Sequence, residues 1–106
     1  MIDLRQEDLA IVQAILAKHV PDCEVWAYGS RVKSSSWKYS DLDLAVIGPS
    51  RLDPVRIYRL RDAFEESALD FRVDLLDWHT VSESFHRQMT ERHEVVQTSA
   101  ADAVVR

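Results

Sequence analysis

The sequence is short of the residues that build disulfides, zinc sites and flexible linkers. Its 106 residues include one cysteine, Cys23, and two glycines, Gly29 and Gly48. A single cysteine excludes an intramolecular disulfide and a zinc site made of several thiolates, and it fits a reducing cytosol. We therefore expect a cytoplasmic protein that is stabilised by an apolar core.

Long apolar runs and an excess of positive charge are also missing. No stretch approaches the roughly 18 apolar residues that cross a bilayer, and residues 1–20 mix charged with apolar side chains, unlike a secretory signal. The 13 Lys and Arg face 18 Asp and Glu, so the formal net charge is -5. Nucleic-acid backbones are bound through clustered cations. We expect neither membrane insertion nor direct nucleic-acid binding.

What remains is typical of one small folded domain. Hydrophobic residues make up 46% of the chain and charged residues 29%, ordinary values for a globular protein. A chain of this length has room for one core. We expect a domain over residues 1–97 and a tail over residues 98–106.

Apolar periodicity predicts alternating helices and strands. In chain order these are a helix at 4–19, strands at 23–28 and 41–47, a helix starting at Asp53-Pro54, a strand at 71–78, a helix bearing Val81, Phe85 and Met89, and a short strand at 94–97. Capping boxes are predicted for Asp3 with Gln6 and for Thr80 with Glu83. The order indicates an α/β (α+β) fold, a small mixed sheet with helices packed on one side.

Two aspartates, Asp41 and Asp43, stand one residue apart in the apolar stretch DLDLAVI. Alternate residues of a strand share a face, so both carboxylates lie on one side while Leu42 and Leu44 face the core. Carboxylates this close repel each other unless a cation binds between them. Magnesium, which prefers oxygen ligands and substrate phosphates, suits such a pair.

A third carboxylate, Asp74, alternates with Val73 and Leu75 in the later strand. If the two strands are neighbours, Asp74 completes a cluster of the kind that supports two-metal nucleotidyl transfer. Asp77 is an alternative third ligand, although it lies at the strand end and on the opposite face.

Gly29 and Ser30 follow the first strand and predict a phosphate-binding turn. Glycine lets the backbone approach a phosphate, the serine adds a hydroxyl donor, and a following helix would supply free N–H groups. Arg31 and Lys33 place positive charge nearby. A Gly-Ser pair or an Asp-x-Asp alone usually marks a turn or a solvated edge; their order along the chain favours a site.

His79, His86 and His93 recur every seven residues. Seven residues span two helical turns, so these side chains cannot share one ion, and we expect solvated or interface histidines. The three tryptophans are expected in the core or at an interface. Trp37, in the Ser-rich loop, is the candidate for a partner contact if it is exposed.

The stretch YGSRVKSSSWKYSDLDLAV, residues 28–46, resembles the signature of the DNA polymerase β-like nucleotidyltransferase superfamily, in its minimal (MNT-domain) branch. Gly29-Ser30, ten intervening residues and Asp41-Leu42-Asp43 fit that pattern. RVDLLDW is similar to the strand of the third carboxylate, here Asp74, and FHRQMTERHEVVQ to the C-terminal region. One departure concerns the loop 32–40, where residues 33–36 read KSSS and many relatives have a glycine.

The resemblance implies a polymerase β-like nucleotidyltransferase fold and transfer of AMP from ATP to a tyrosine of a HEPN ribonuclease toxin, with this chain as its antitoxin. It implies two Mg²⁺ ions. Asp41 and Asp43 would hold one on the triphosphate, and Asp74 with both would support a second that activates the acceptor hydroxyl.

On the same resemblance, Gly29 and Ser30 hold the β and γ phosphates, and Arg31 neutralises the leaving pyrophosphate. Larger relatives hold the acceptor with a second domain, so here we expect the acceptor to come from a partner protein in a hetero-oligomer. Two alternatives stay open: an antitoxin that blocks its partner by binding alone, and a small-molecule nucleotidyltransferase. The complete carboxylate set speaks against the first, and the short chain against the second.

Overall fold

The structure is a computed structural model that describes residues 2–33, 37 and 39–99. Within them the chain forms helices α1 (Gln6–His19), α2 (Pro54–Glu65) and α3 (Glu83–Glu91), a 3-10 helix (Trp78–Thr80) and strands β1 (Glu24–Tyr28), β2 (Leu42–Ile47), β3 (Val73–Asp77) and β4 (Glu94–Gln97). The predicted order of elements is confirmed. Most of the Ser-rich loop and of the predicted tail, residues 34–36, 38 and 100–106, lies outside the described residues.

The strands form one mixed sheet in the order β3-β2-β1-β4. β1 pairs antiparallel with both β2 and β4, whereas β2 and β3 run parallel. β2 is therefore an interior strand of the predicted mixed sheet, with β1 on one side and β3 on the other. The parallel pairing requires a crossover, and α2 provides it.

One face of the sheet carries the apolar core. Alternate residues of the strands point into it, and α1 and α2 cover it; the buried contributors include Val12, Leu16, Val25, Ala27, Leu42, Leu44, Leu60 and Phe64. Leu42 and Leu44 are fully buried, as predicted. Each buried leucine contributes roughly 2 kcal/mol of hydrophobic free energy, so the orientation of β2 is strongly fixed.

Helix α3 contacts the opposite face of the sheet. Phe85 packs edge to face on Tyr28, with ring centroids 5.7 Å apart, and Tyr28 alternates with the buried Ala27. The expectation of helices on one side thus holds for α1 and α2, while α3 lies on the other side. Its apolar residues Phe85 and Met89 find a partner there because α1 and α2 already cover the core face.

The start of α2 is as predicted, and the start of α1 is not. Asp53 caps α2 by accepting a hydrogen bond from the Val55 backbone N–H at 2.9 Å. The N-cap of α1 is Arg5, without a side-chain cap, so the predicted capping box of Asp3 is wrong. The Asp3 backbone N–H instead donates to the Arg31 carbonyl oxygen at 2.8 Å, which ties this residue to the loop after β1.

Helix α3 also begins differently from the prediction. Ser82 caps it by accepting from the Phe85 N–H at 3.3 Å. The Thr80 hydroxyl donates to the Asp77 carbonyl oxygen at 2.8 Å within the 3-10 helix. The predicted capping box of Thr80 with Glu83 is wrong, because Thr80 is the last residue of the 3-10 helix and its hydroxyl already binds Asp77.

The segment that follows β4 packs on the domain as far as Ser99, the last described residue. The Ser99 hydroxyl donates to the Asp22 carbonyl oxygen at 3.0 Å, and Ser99 is buried. Among the helices of the described residues, none combines the length and the apolarity that crossing a membrane requires.

Candidate active site

Asp43 and Asp74 lie side by side on the face opposite the core. They are direct partners in the register of the parallel strands β2 and β3, so their side chains point to the same side. The Leu42 N–H donates to the Arg72 carbonyl oxygen at 2.9 Å and fixes this register. The condition stated for Asp74 as the third carboxylate, that its strand lies next to the strand of Asp43, is therefore confirmed.

Asp41 stands one residue before β2, which begins at Leu42. It is exposed, whereas Asp43 is half-buried. The strand was predicted from residue 41. Because Asp41 precedes it, the sheet does not fix the direction of this side chain as it does for Asp43.

The carboxylates interact electrostatically. The pKa of Asp43 is raised to about 6, first by burial and then by the negative charges of Asp74 and Asp41. Ionising Asp43 near neutral pH is therefore costly without a counter-ion. A divalent cation would remove this cost.

The donor set fits magnesium by its chemistry, since carboxylate oxygens are the ligands that this ion prefers. Within the described ranges, however, no three acidic, histidine or cysteine side chains form a metal-binding group. The predicted set of metal ligands, Asp41, Asp43 and Asp74, is thus brought together only in part. Its in-register pair is in place, and the exposed Asp41 stands beside it.

Gly29 brings the predicted phosphate-binding turn against Asp43. Its φ is +82°, a conformation that glycine adopts without strain. A Cβ on Gly29 would lie 2.3 Å from the Asp43 Oδ2 atom. The turn and the carboxylate therefore touch, and only a residue without a side chain allows this approach.

The turn after Gly29 is compact. The backbone N–H groups of Val32 and Lys33 both donate to the Gly29 carbonyl oxygen at 3.1 Å. Ser30 is half-exposed at the start of this turn. The helix expected to follow is not found in the described residues between Gly29 and Asp41, so the turn itself would have to present the N–H groups.

Arg31 has a different position from the one its predicted role requires. Its side chain is buried, and its Nε and Nη1 groups donate to the carbonyl oxygens of Ser40 and Asp3 at 3.0 and 2.9 Å. The guanidinium lies 4.3 Å from the Phe71 ring centroid. The phosphate contact predicted for Arg31 has no support here, because these groups hold the loop against the N-terminal segment.

Asp77 supports the fold. It is buried, and its carboxylate accepts hydrogen bonds from the N–H groups of Leu52 and His79 at 2.9 and 3.0 Å. It pairs in register with the buried Val46, on the face away from Asp74. These contacts speak against Asp77 as the third ligand.

A small cavity adjoins the turn, and sequence reasoning missed it. Its volume is about 210 Å³, and its walls include Tyr28, Gly29 and Lys33 on one side and Phe85, Met89 and Arg92 on the other. Phe85 and Met89 are spaced i and i+4 on one face of α3, and Arg92 follows the helix with an extended backbone. The apolar stripe that includes Phe85 and Met89 predicts a buried helix face, and no local pattern indicates the cavity.

Tyr28 links the cavity to the carboxylates. It is the register partner of Asp43 on β1. Its pKa is raised to about 12 by burial and by the charges of Asp43 and Asp74. The phenol therefore stays protonated at neutral pH and adds no charge to the site.

Two histidines and two tryptophans pack against each other on the same sheet face. His86 stacks on Trp78 and His93 on Trp26, with centroid distances of 3.9 and 3.7 Å. The two indoles meet edge to face at 5.2 Å. Trp37 is 67% exposed, so its proposed partner contact stays a prediction.

Comparison with known proteins agrees with this geometry. Residues 9–101 match the family described as Polymerase beta, Nucleotidyltransferase. The chain is 52% identical over 96 residues to the "Probable protein adenylyltransferase MntA" of Haemophilus influenzae, which covers 91% of this chain and 84% of that relative.

Solved structures share the fold. A toxin–antitoxin complex with AMP-PNP aligns with a TM-score of 0.73 at 23% identity, over 92% of this chain and 79% of that chain. A tri-AMPylated Shewanella oneidensis HEPN toxin in complex with MNT antitoxin aligns with a TM-score of 0.68 at 23% identity, over 96% and 79%. The match over most of the length, together with the 52% identity, shows that the chain belongs to the polymerase β nucleotidyltransferase family.

Proposed function

We propose that this protein transfers AMP from ATP to a tyrosine of a HEPN toxin and so acts as the antitoxin of that partner. The observation that carries the proposal is the contact of the Gly29 turn with Asp43, which itself pairs with Asp74 across β2 and β3. The Gly29 turn, for which we propose phosphate binding, therefore lies against two carboxylates. A relative named as a protein adenylyltransferase at 52% identity supports the same reaction.

The reaction needs a triphosphate held in line with an acceptor hydroxyl. The turn of Gly29 and Ser30 binds the phosphates, and Asp41, Asp43 and Asp74 would hold Mg²⁺, which would neutralise phosphate charge and favour the ionised acceptor. The tyrosine oxygen bonds to the α-phosphorus while the bond to the bridging β-oxygen breaks. The products are a tyrosyl-AMP ester, pyrophosphate and the released hydroxyl proton.

The partner is proposed from the structural neighbours. They are toxin–antitoxin complexes, one with AMP-PNP and one with a tri-AMPylated HEPN toxin. We propose a hetero-oligomer of the same kind for this chain. We also propose a cytoplasmic location, because Cys23 is the single cysteine of the chain and therefore forms no intramolecular disulfide, which fits a reducing compartment.

Intact mass spectrometry of the partner tests the proposal. The protein is mixed with the HEPN toxin, ATP and Mg²⁺, and the toxin is expected to gain the mass of one or more AMP groups. The double variant Asp41→Asn with Asp43→Asn is expected to abolish the gain. Asp62→Asn, an exposed acid of α2, is the matched control and keeps it.

Two results would overturn the proposal. Neutralisation of the toxin with no mass gain means that the chain blocks its partner by binding alone. AMP transfer to small molecules but not to the toxin means a small-molecule nucleotidyltransferase.

A further inference from the structure

The residues assigned so far give the site many negative charges and few positive ones. Three carboxylates meet a triphosphate that is itself strongly anionic. The arginine of the turn, Arg31, donates to the Ser40 and Asp3 carbonyl oxygens. Besides Mg²⁺, cationic side chains other than Arg31 would therefore stabilise the phosphates of ATP.

The cavity beside Gly29 supplies two of them. Lys33 belongs to the turn, and Arg92 is the residue that directly follows α3. Both are exposed. Among the described residues, neither makes an ion pair.

The cavity shares a wall with the carboxylates. Gly29 lines it and also lies against the Asp43 Oδ2 atom, and Tyr28 lines it beside Asp43. Three larger cavities, of about 440, 410 and 440 Å³, are lined by described residues that include neither Gly29 nor Asp43. The 410 Å³ cavity reaches Asp74 but not the Gly29 turn.

The size and chemistry of the cavity fit one part of a nucleotide. Its volume of about 210 Å³ is below the roughly 300–1,000 Å³ of pockets that enclose a whole small-molecule ligand. Phe85 and Met89 form an apolar side of this open cavity. A guanidinium binds phosphate oxygens through two parallel N–H bonds.

We propose that this cavity receives the β and γ phosphates of ATP and that Arg92 binds them from α3, opposite Lys33. The inference rests on the proposed function and adds to it a binding residue outside the turn and the carboxylate motifs. It also gives α3 a part in the site, since α3 packs on Tyr28 through Phe85 and Arg92 directly follows its last residue.

Nucleotide binding to the purified protein tests this inference. Dissociation constants for ATP and AMP are measured with Mg²⁺ for the unaltered chain, Arg92→Ala, Arg92→Lys and Arg87→Ala. Arg87 is exposed on α3 and is the matched control. Thermal unfolding shows whether each variant is folded, and Arg92→Lys carries the test if Arg92→Ala does not fold.

Arg92→Ala is expected to weaken ATP binding at least tenfold and AMP binding less than twofold, because only ATP carries the β and γ phosphates. Arg92→Lys should lie between, and Arg87→Ala should change neither. Unchanged ATP binding in both folded Arg92 variants overturns the inference alone. An equal loss for AMP and ATP also overturns it, since the cavity would then hold the nucleoside. An unaltered chain that binds no ATP overturns the inference and the proposed function together.

Discussion

Gly29 carries no side chain, and two separate features of the structure require this. Its φ of +82° is strained for other residues, and a Cβ would lie 2.3 Å from the Asp43 Oδ2 atom. We expect Gly29→Ala to lower the free energy of unfolding by about 1–3 kcal/mol. It should also reduce AMP transfer strongly, because the Asp43 carboxylate has to move. Urea denaturation and a transfer assay check both effects.

Gly48→Ala is the matched control for this prediction. A Cβ on Gly48 would lie 3.3 Å from the Cys23 Sγ atom and the Ser50 carbonyl oxygen, a tight but smaller conflict. We expect a smaller loss of stability and retained transfer. Full activity of Gly29→Ala would contradict the role given to the turn.

The raised pKa of Asp43 makes the stability depend on pH in a defined direction. Well below pH 3.8, the ordinary pKa of an aspartate, Asp43 is protonated in both states. As pH rises to about 6, the unfolded chain loses this proton before the folded one. Folding therefore becomes less favourable across this window, and the full cost remains above it.

Asp43→Asn should consequently stabilise the protein at pH 7.5, by about 1 kcal/mol once solvent screening is allowed for. At about pH 3 the gain should be much smaller, because Asp43 is then largely protonated in both states. Urea denaturation at the two pH values measures it, and Asp62→Asn serves as the exposed control. A gain that is equal at both values, or a loss at pH 7.5, would speak against the crowding of Asp43 by Asp74 and Asp41.

At the scale of single elements, β3 separates two acidic residues by role. Asp74 faces the site, whereas Asp77 accepts hydrogen bonds from Leu52 and His79 on the core side. We expect Asp77→Ala to lower the free energy of unfolding by about 1–3 kcal/mol, because a buried N–H group loses its partner. Asp74→Asn should keep the stability and lose AMP transfer. Denaturation and transfer assays on both variants would show the reverse pattern if Asp77 were the metal ligand.

The loop after β1 depends on Arg31 for its position. Arg31→Gln should lower the free energy of unfolding by about 1–3 kcal/mol, because the Ser40 and Asp3 carbonyl oxygens lose charged donors. ATP binding should weaken as a consequence. Denaturation and ATP affinity are measured together. Weaker ATP binding at unchanged stability would instead restore the direct phosphate contact that the resemblance implied.

Local sequence patterns predicted which strand residues share a face but not which strands are neighbours. Alternation placed Asp43 opposite Leu42 and Leu44, and the structure agrees. The pairing of Asp43 with Asp74 depends on the β2–β3 register, which tertiary packing decides. The N-cap of α3 was predicted wrongly for a related reason. Thr80 and Ser82 are both residue types that cap helices, and the preceding 3-10 helix, which ends at Thr80, decides between them.

In the whole molecule, the sheet separates the apolar core from the candidate active site. α1 and α2 cover one face with the apolar core, and the other face holds the carboxylates, the cavity and α3. The mixed α/β class followed from the order of elements and from the resemblance. The side taken by α3 did not, because an apolar stripe such as Phe85 and Met89 does not specify which sheet face it covers. Arg92 could not be predicted either, because it lies beside the Gly29 turn only when α3 covers this face.

The most direct test of the central claim follows the two ends of ATP separately. The protein, its HEPN partner and Mg²⁺ are incubated with ATP labelled at the α- or the γ-phosphate, and the label on the partner is measured. We expect the α label on a partner tyrosine and the γ label in released pyrophosphate, and we expect the double variant Asp41→Asn with Asp43→Asn to abolish both. Transfer of the γ label, or a silenced partner that carries neither label, would contradict the central claim.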